Sequence, residues 1–374
     1  MKQLIKMKNK FKKSDKSVDE KIDNLANEVL NQIERKNNPV VDIPLRGINN
    51  VYFDEKNEVI QMGDKISSRS FFNLGQSKKF MQTFLAAKVI QDLIKQNITV
   101  PIRSIYYNTK HTIEGTKEET WNDQSESDPI IEDLEVTLNA LREELHVRAG
   151  SKGAMVGNIT IIDSGDKIDL RKMGSGGWSI PSIVENDIVQ FDKCEAEYIL
   201  FIEKDTIWSR FNEDKFWKKN NCIIIHGGGQ PPRGVRRLLR RMHDELKLPV
   251  YVIVDNDIYG LYIYSVVKQG SINLAFESMR MAVPKARFLG LSSFDFEKYN
   301  LPNSVVLKLK DVDKKRIKEV LAYPWFQDKK WQKEISYMLK TGIKLELEAL
   351  SAKNFKFITE QYVPDKIKNK DFLD

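Results

Sequence analysis

Tyr198-Ile199-Leu200-Phe201-Ile202 is a short, wholly apolar run that stops at Glu203. Two runs of the same kind follow. Cys222-Ile223-Ile224-Ile225 stops at His226-Gly227-Gly228-Gly229, and Val250-Tyr251-Val252-Ile253-Val254 stops at Asp255-Asn256-Asp257. Apolar runs this short, separated by helix-length segments, predict parallel strands of an α/β sheet, whose working residues gather at the strands' carboxyl ends. Glu203, Asp255 and Asp257 then share one edge. Three hard oxygen donors there suit Mg²⁺. A lone Asp-x-Asp is ordinary turn chemistry after a strand; Glu203 on a neighbouring strand end is what lifts this one above it.

Working outward, the pattern from about residue 166 is β-α-β-α. A helix runs from Glu203 to about Trp217, another from Arg233 to Leu246, and a third from about Tyr259 to Lys268. Ala286 to Leu291 reads as a fourth strand. Beyond Asn300 the chain reads as helices and turns, with Leu345 to Leu350 in a late helical stretch. Upstream, the Gly174 to Gly177 stretch is the expected linker between the two halves.

The first half is organised differently. Residues 1–66 read as an arm with a basic head, a helix around Val18 to Arg35 and a strand-like stretch near Val51 to Gln61. Phe80, Phe84, Ala87, Ile90 and Ile94 recur at helical steps. Pro101 can open a second helix. Ile131, Leu134, Leu138, Leu141 and Leu145 mark a third, and glycine-punctuated strands run from Gly150 to Ile162. Helices followed by a short hairpin predict a winged-helix domain over 67–165, ahead of the metal-edge domain at 166–374.

At 374 residues the chain is long enough for two or three domains with real cores. The formal charge of +7 permits a nucleic-acid partner without requiring one. Seven lysines fall in residues 1–16, and Arg233, Arg236, Arg237, Arg240 and Arg241 crowd a single helix. Cys194 and Cys222 are the only two cysteines, which excludes a disulfide framework, and with four histidines they offer no zinc spacing. No apolar stretch approaches the roughly 20 residues of a membrane span. The lysine-rich start lacks a signal peptide's apolar core. These features predict a soluble, cytoplasmic protein with no membrane partner. The glycine run 227–229 has the spacing of neither a P-loop nor a dinucleotide fingerprint, so it reads as a tight turn bringing Arg233 near a phosphate.

Pro101-Ile102-Arg103-Ser104-Ile105-Tyr106-Tyr107-Asn108 holds the nucleophile candidate. Ile102, Ile105 and Tyr106 fall on one helix face. Arg103 and Tyr107, four apart, fall on an adjacent face, followed by Lys110 and His111. A phenol with an ordinary pKa near ~10 needs help to attack a phosphodiester. Arg103 can bind the phosphate in a planar fork and offset charge on its oxygens. Spacing alone equally allows a packed tyrosine pair beside a surface arginine.

The Arg103-Ser104-Ile105-Tyr106-Tyr107 motif resembles that of the DNA topoisomerase VI A subunit and the related meiotic double-strand-break transesterases. His226-Gly227-Gly228-Gly229-Gln230-Pro231-Pro232-Arg233-Gly234-Val235-Arg236-Arg237, Asp255-Asn256-Asp257-Ile258-Tyr259-Gly260 and Tyr323-Pro324-Trp325-Phe326 are similar to the archaeal form. The resemblance runs from about Ser68 to the C-terminus. It implies that Tyr107 is the nucleophile, that Arg103 assists it, and that Glu203, Asp255 and Asp257 are the Mg²⁺ ligands of a Toprim domain. Lys110, His111, Arg233, Arg236 and Arg237 are the expected DNA contacts. The resemblance further implies a homodimer within an A2B2 heterotetramer acting on duplex DNA in the nucleoid, with ATP bound by the partner B subunit, docked near the N-terminal arm, and not by this chain. Tyr107 of one protomer would meet the metal edge of the other. Asn256 and Ile258 stand where the family usually has a small residue and a proline, so the turn there is expected to differ locally. Two other readings remain: a recombination-initiating cleaver without strand passage, and a DNA-binding module without catalysis.

Overall fold

The computed structural model describes residues 16–374, so the basic head expected at the start of the chain, and any docking role for it, lies outside the described residues except for Lys16. The chain divides into two compact units: one takes the described residues up to Val51 together with Met62–Gly150, the other Tyr52–Gln61 together with Ser151–Asp374.

The first unit is mainly helical. A capping box between Ser17 and Glu20 opens helix Val18–Glu34. Helix Leu74–Gln96 ends where Asn97 turns left-handed and its N–H returns to the Leu93 and Ile94 carbonyls. Ala87 and Ile90, placed inward by the spacing, are buried with Ile105, Ile131, Leu134 and Trp121 in one core. Strands Val40–Pro44 and Ile66–Ser70 pair antiparallel, and Arg46 and Arg69 both grip Asp133.

Several expectations for this half need correction. The stretch near Val51 to Gln61 is two strands, Val51–Asp54 and Val59–Met62, paired with each other. The Asp54 carboxylate accepts the Lys56 and Asn57 N–H groups and closes the turn between them. The third helix spans Ser127–Thr137 and stops short of Leu141 and Leu145. Asn139 takes a positive φ of 44°, and Glu144 caps the Leu141 N–H to start a separate turn. Leu145 is nevertheless buried, so the apolar period outlasts the helix.

The largest correction concerns the expected wing. Ala154–Gly157 is buried throughout and pairs antiparallel with Cys222–His226, inside the second unit. A continuous buried run belongs in a covered sheet, where a wing would alternate with solvent. Gly157 makes the approach possible, because a Cβ there would lie 2.6 Å from the Cys222 carbonyl oxygen. Ile159–Asp163 joins Asp166–Asp169 and Val189–Cys194 in a three-stranded sheet. The units therefore change at Gly150/Ser151, and not near 165. Nor is Gly174–Gly177 a linker. Asn212 Nδ2 binds the Gly174 and Ser175 carbonyls, and a Cβ on Gly177 would meet the Trp208 ring at 2.8 Å.

The second unit is built on a six-stranded sheet in the order Trp178–Ser179, Ala154–Gly157, Cys222–His226, Tyr198–Ile202, Val250–Ile253, Arg287–Gly290. The last four are mutually parallel. Tyr198–Ile202 is buried along its whole length, as an apolar run without alternation requires. Helices Asp205–Glu213, Arg233–Leu246 and Ile258–Gln269 follow the three central strands. The late stretch near Leu345 is a two-residue strand, Ile343–Lys344, followed by a 3₁₀ helix, Leu347–Ala352. It is tied to the sheet by reciprocal backbone bonds between Asn256 and Leu345. Among the described residues no helix is long and apolar enough to cross a membrane.

Candidate active site: an exposed tyrosine and an acidic sheet edge

Helix Ile102–Thr109 presents the two tyrosines differently. Ile105 and Tyr106 are buried, as the spacing predicts, and Trp121 Nε1 donates to Thr109 Oγ1 at 2.8 Å to fix the helix's last turn. Tyr106 OH accepts from Lys110 Nζ at 3.0 Å, and the hydrogen bond raises the Lys110 ammonium's pKa. Tyr107 packs edge-on against Tyr106 yet is 68% exposed. Of the adjacent pair, only Tyr107 has a ring free to meet a macromolecule. Arg103 and His111 are also exposed, and the His111 backbone is held by Thr120.

In the second unit, register brings the acidic residues together. Ile202 pairs with both His226 and Ile253, so the three central strands end level. The Glu203 N–H donates to the Ile253 carbonyl at 3.1 Å, and the Gly229 N–H donates to the Glu203 carbonyl at 2.9 Å. That return requires a left-handed turn, and Gly228 and Gly229 take φ of 64° and 94°. The glycine run is thus a turn that closes over Glu203. Glu203 Oε2 in turn accepts the Asp255 N–H at 3.1 Å.

Glu203 is 9% exposed and Asp255 7%. Burial first, and the charge of Asp255 second, push the Glu203 carboxyl up to about 7. Burial also raises Asp255, against the pull of the Leu347 N–H and the Lys204 ammonium. For Lys204 itself burial works against the charge, but hydrogen bonds to Glu348 and Asp255 outweigh it and the pKa rises. Asp257 Oδ1 accepts the Gly260 N–H at 2.7 Å and caps helix Ile258–Gln269. Gly260 is required there, since a Cβ would lie 2.3 Å from the Asp255 carbonyl oxygen.

The trio shares an edge but does not form a closed cage. Among the described residues no three His, Cys, Asp or Glu side chains are gathered closely enough to enclose an ion. The donor chemistry still fits Mg²⁺, which takes one or two carboxylates and completes its shell with water and substrate phosphate oxygens. Two buried neighbouring carboxyls, both held above their ordinary range by burial, would be relieved by a divalent cation.

Asn256, between the aspartates, is where this turn is individual. Its amide donates to Ser293 Oγ and to Glu334 Oε1, and Glu334, fully buried, also accepts the Ser293 N–H and the Ser292 hydroxyl. Sequence reasoning missed Glu334, Glu346, Glu348 and Lys204. Lys204 is signalled only by its place next to Glu203, and the others by nothing local.

The arginine-rich helix also departs from expectation. Arg233 pairs with Glu277. Arg237 makes a two-pronged pair with Glu185, at 2.8 and 2.9 Å, and donates to the Arg280 carbonyl. Arg241 reaches Glu245 and the Val184 and Val189 carbonyls. Arg236 is 4% exposed, and burial lowers its guanidinium to about 10. The stripe expected to face DNA thus works largely inside the unit, because the helix lies against residues 184–189 and 277–282, which bring carboxylates and bare carbonyls.

The chain matches three family descriptions in succession. Residues 78–147 match "Type IIB DNA topoisomerase", and residues 151–195 match "All-beta domain in DNA topoisomerase VI alpha subunit". Residues 198–367 match the Toprim domain shared by the topoisomerase 6 A subunit and Spo11. The all-β match coincides with the strands expected to form a wing. The type 2 DNA topoisomerase 6 A subunit of Pyrococcus horikoshii is 43% identical over 373 residues, covering 97% of each chain. The protein of the same name from Pyrococcus abyssi is 44% identical with the same coverage. The DNA topoisomerase 6 A3 subunit of Oryza sativa subsp. indica is 35% identical over 88% of this chain and 73% of its own. With family matches spanning most of its length and relatives this similar end to end, the chain belongs to the A-subunit family of topoisomerase VI, the type IIB DNA topoisomerases.

Proposed function

We propose that this chain is the DNA-cleaving and religating component of a type IIB topoisomerase, with Tyr107 as its nucleophile. The observation that carries the reading is the contrast within the tyrosine pair: Tyr106 is buried and tied to Lys110, whereas Tyr107 is mostly exposed on the same short helix. Tyr107 Oη forms a bond to a backbone phosphorus as the bond from phosphorus to the 3′ oxygen breaks. The products are a 5′-phosphotyrosyl bond and a 3′-hydroxyl; the phenol gives up its proton and the leaving oxygen gains one. One phosphoester replaces another, so the cut needs no ATP and reverses when the 3′-hydroxyl attacks.

Arg103, one helical turn before Tyr107, holds the phosphate in position, and Lys110 and His111 contact the flanking backbone. Glu203 and Asp255, with Asp257 at the rim, would hold Mg²⁺, which supplies charge to offset the phosphate and the departing 3′ oxygen. With its pKa near 7, Glu203 is also placed to hold or release a proton during religation. Tyr107 and the carboxylates belong to different units, which suits a site completed between two copies of the chain. Cutting both strands takes two tyrosines, hence a homodimer. The relatives are themselves named as one subunit of a larger enzyme, which supports an A2B2 assembly in which a B subunit binds ATP and drives strand passage.

The test is covalent trapping on duplex DNA with Mg²⁺, with and without the B subunit. Wild type is expected to give a protein–DNA adduct and Tyr107→Phe none, while Tyr106→Phe retains it. An adduct that survives Tyr107→Phe refutes the assignment. Recovery of cleavage without strand passage in the presence of an ATPase partner would favour the recombination-type cleaver instead.

A further inference from the structure

Asp255 already faces a cation. Lys204 Nζ lies 2.9 Å from its Oδ2, while its Oδ1 accepts the Leu347 N–H at 2.8 Å, so both carboxylate oxygens are engaged. The same ammonium lies 2.9 Å from Glu348 Oε2 and 3.5 Å from Glu346 Oε2. Those two glutamates flank Leu347, and the backbone bonds between Asn256 and Leu345 hold their segment in place. Asp255 is buried, whereas Glu346 and Glu348 are exposed. One lysine thus bridges a buried carboxylate of the metal edge and two solvated carboxylates beside it.

We propose that Lys204 is a tethered counter-ion that competes with the divalent cation for Asp255 Oδ2, and that Glu348 and Glu346 retain the ammonium when it yields that oxygen. The proposal rests on the reading of this edge as a Mg²⁺ site and adds how its affinity is set. A divalent ion and an ammonium cannot share one carboxylate oxygen without strong repulsion. Lysine is suited to the exchange, since its charge rides on a flexible stem with three rotatable donors. Glu348 is already in contact, so releasing Asp255 does not strand the ammonium without a partner. Asp255 stays neutralised in the absence of metal, and the metal is held weakly until phosphate oxygens of a bound duplex add to its shell. Lys204 is therefore a positioning residue that ties metal loading to substrate.

The experiment measures Mn²⁺ binding to the full chain without DNA, by electron paramagnetic resonance of the free ion. Lys204→Met keeps the stem and removes the charge, and is expected to lower the Mn²⁺ Kd about tenfold. Lys204→Arg, which keeps the charge, is expected to stay within about twofold of wild type. Glu348→Gln removes an alternative partner for the ammonium and is expected to raise the Kd about threefold. If Lys204→Met binds no more tightly than wild type while Asp255→Asn abolishes binding, the counter-ion role is overturned and the metal site stands. If Mn²⁺ binding is indifferent to Asp255→Asn, both the site and the counter-ion role fall. Glu348→Gln and Lys204→Arg read the same competition without removing the charge, should Lys204→Met fail to fold.

Discussion

Replacing Glu203 with glutamine tests whether the acidic edge stores unfavourable charge. The Glu203 carboxyl rises from an ordinary 4.5 to about 7, through burial first and Asp255 second. A carboxyl raised in the folded state binds its proton more tightly folded than unfolded, so its contribution to stability is best below about pH 4.5. It declines as pH rises from 4.5 towards 7, and above 7 the full penalty of the buried charge applies. Each pH unit between the two values is worth about 1.4 kcal/mol, so the whole rise corresponds to about 3 kcal/mol. Asp255, raised by burial, slopes the same way. The assay is urea unfolding of wild type and Glu203→Gln in metal-free buffer from pH 5 to pH 8. Across that range wild type is expected to lose about 2–3 kcal/mol relative to the variant. Adding Mg²⁺ at pH 8 should recover most of that loss in wild type and little in Glu203→Gln. Parallel pH profiles for the two proteins, or a wild type that gains on the variant as pH rises, would refute the reasoning.

Two further substitutions probe the surroundings of the edge. Glu334→Ala strips the Ser293 N–H and the Asn256 amide of a buried partner and is expected to destabilise the protein by about 3 kcal/mol; a thermal melt unchanged from wild type would show that this network does not hold the turn. Arg237→Ala removes the two-pronged pair with Glu185 and should cost about 1–2 kcal/mol. It should leave the salt dependence of duplex binding as in wild type, whereas an arginine contacting phosphate would reduce the logarithmic slope by about 0.9.

The acidic edge was legible because strand ends are local. An apolar run long enough for one strand, broken by Glu203 or Asp255, already says where the chain leaves the sheet, and parallel pairing then sets those ends side by side. The tyrosine helix was legible for the same reason: the three- and four-residue spacing of Ile102, Ile105 and Tyr106 sends Tyr107 to the other face. What failed depended on partners distant in the chain. Ala154–Gly157 has the length and glycine flanks of a wing, and only a strand some 68 residues onward explains why it is buried.

Sequence by itself thus determined the class of sheet, the edge that carries the carboxylates and which of two adjacent tyrosines faces solvent, since each follows from periodicity within a few residues. Tertiary structure decided what those charges touch. Arg236 and Arg237 read as a basic stripe until a neighbouring segment supplies Glu185 and covers Arg236. Lys204 reads as a surface lysine until Asp255, 51 positions onward, and Glu348, 144 positions onward, meet its ammonium. A side chain's charge is written in the chain, but its Coulomb partners and its share of solvent are set by whatever the fold brings within a few ångströms.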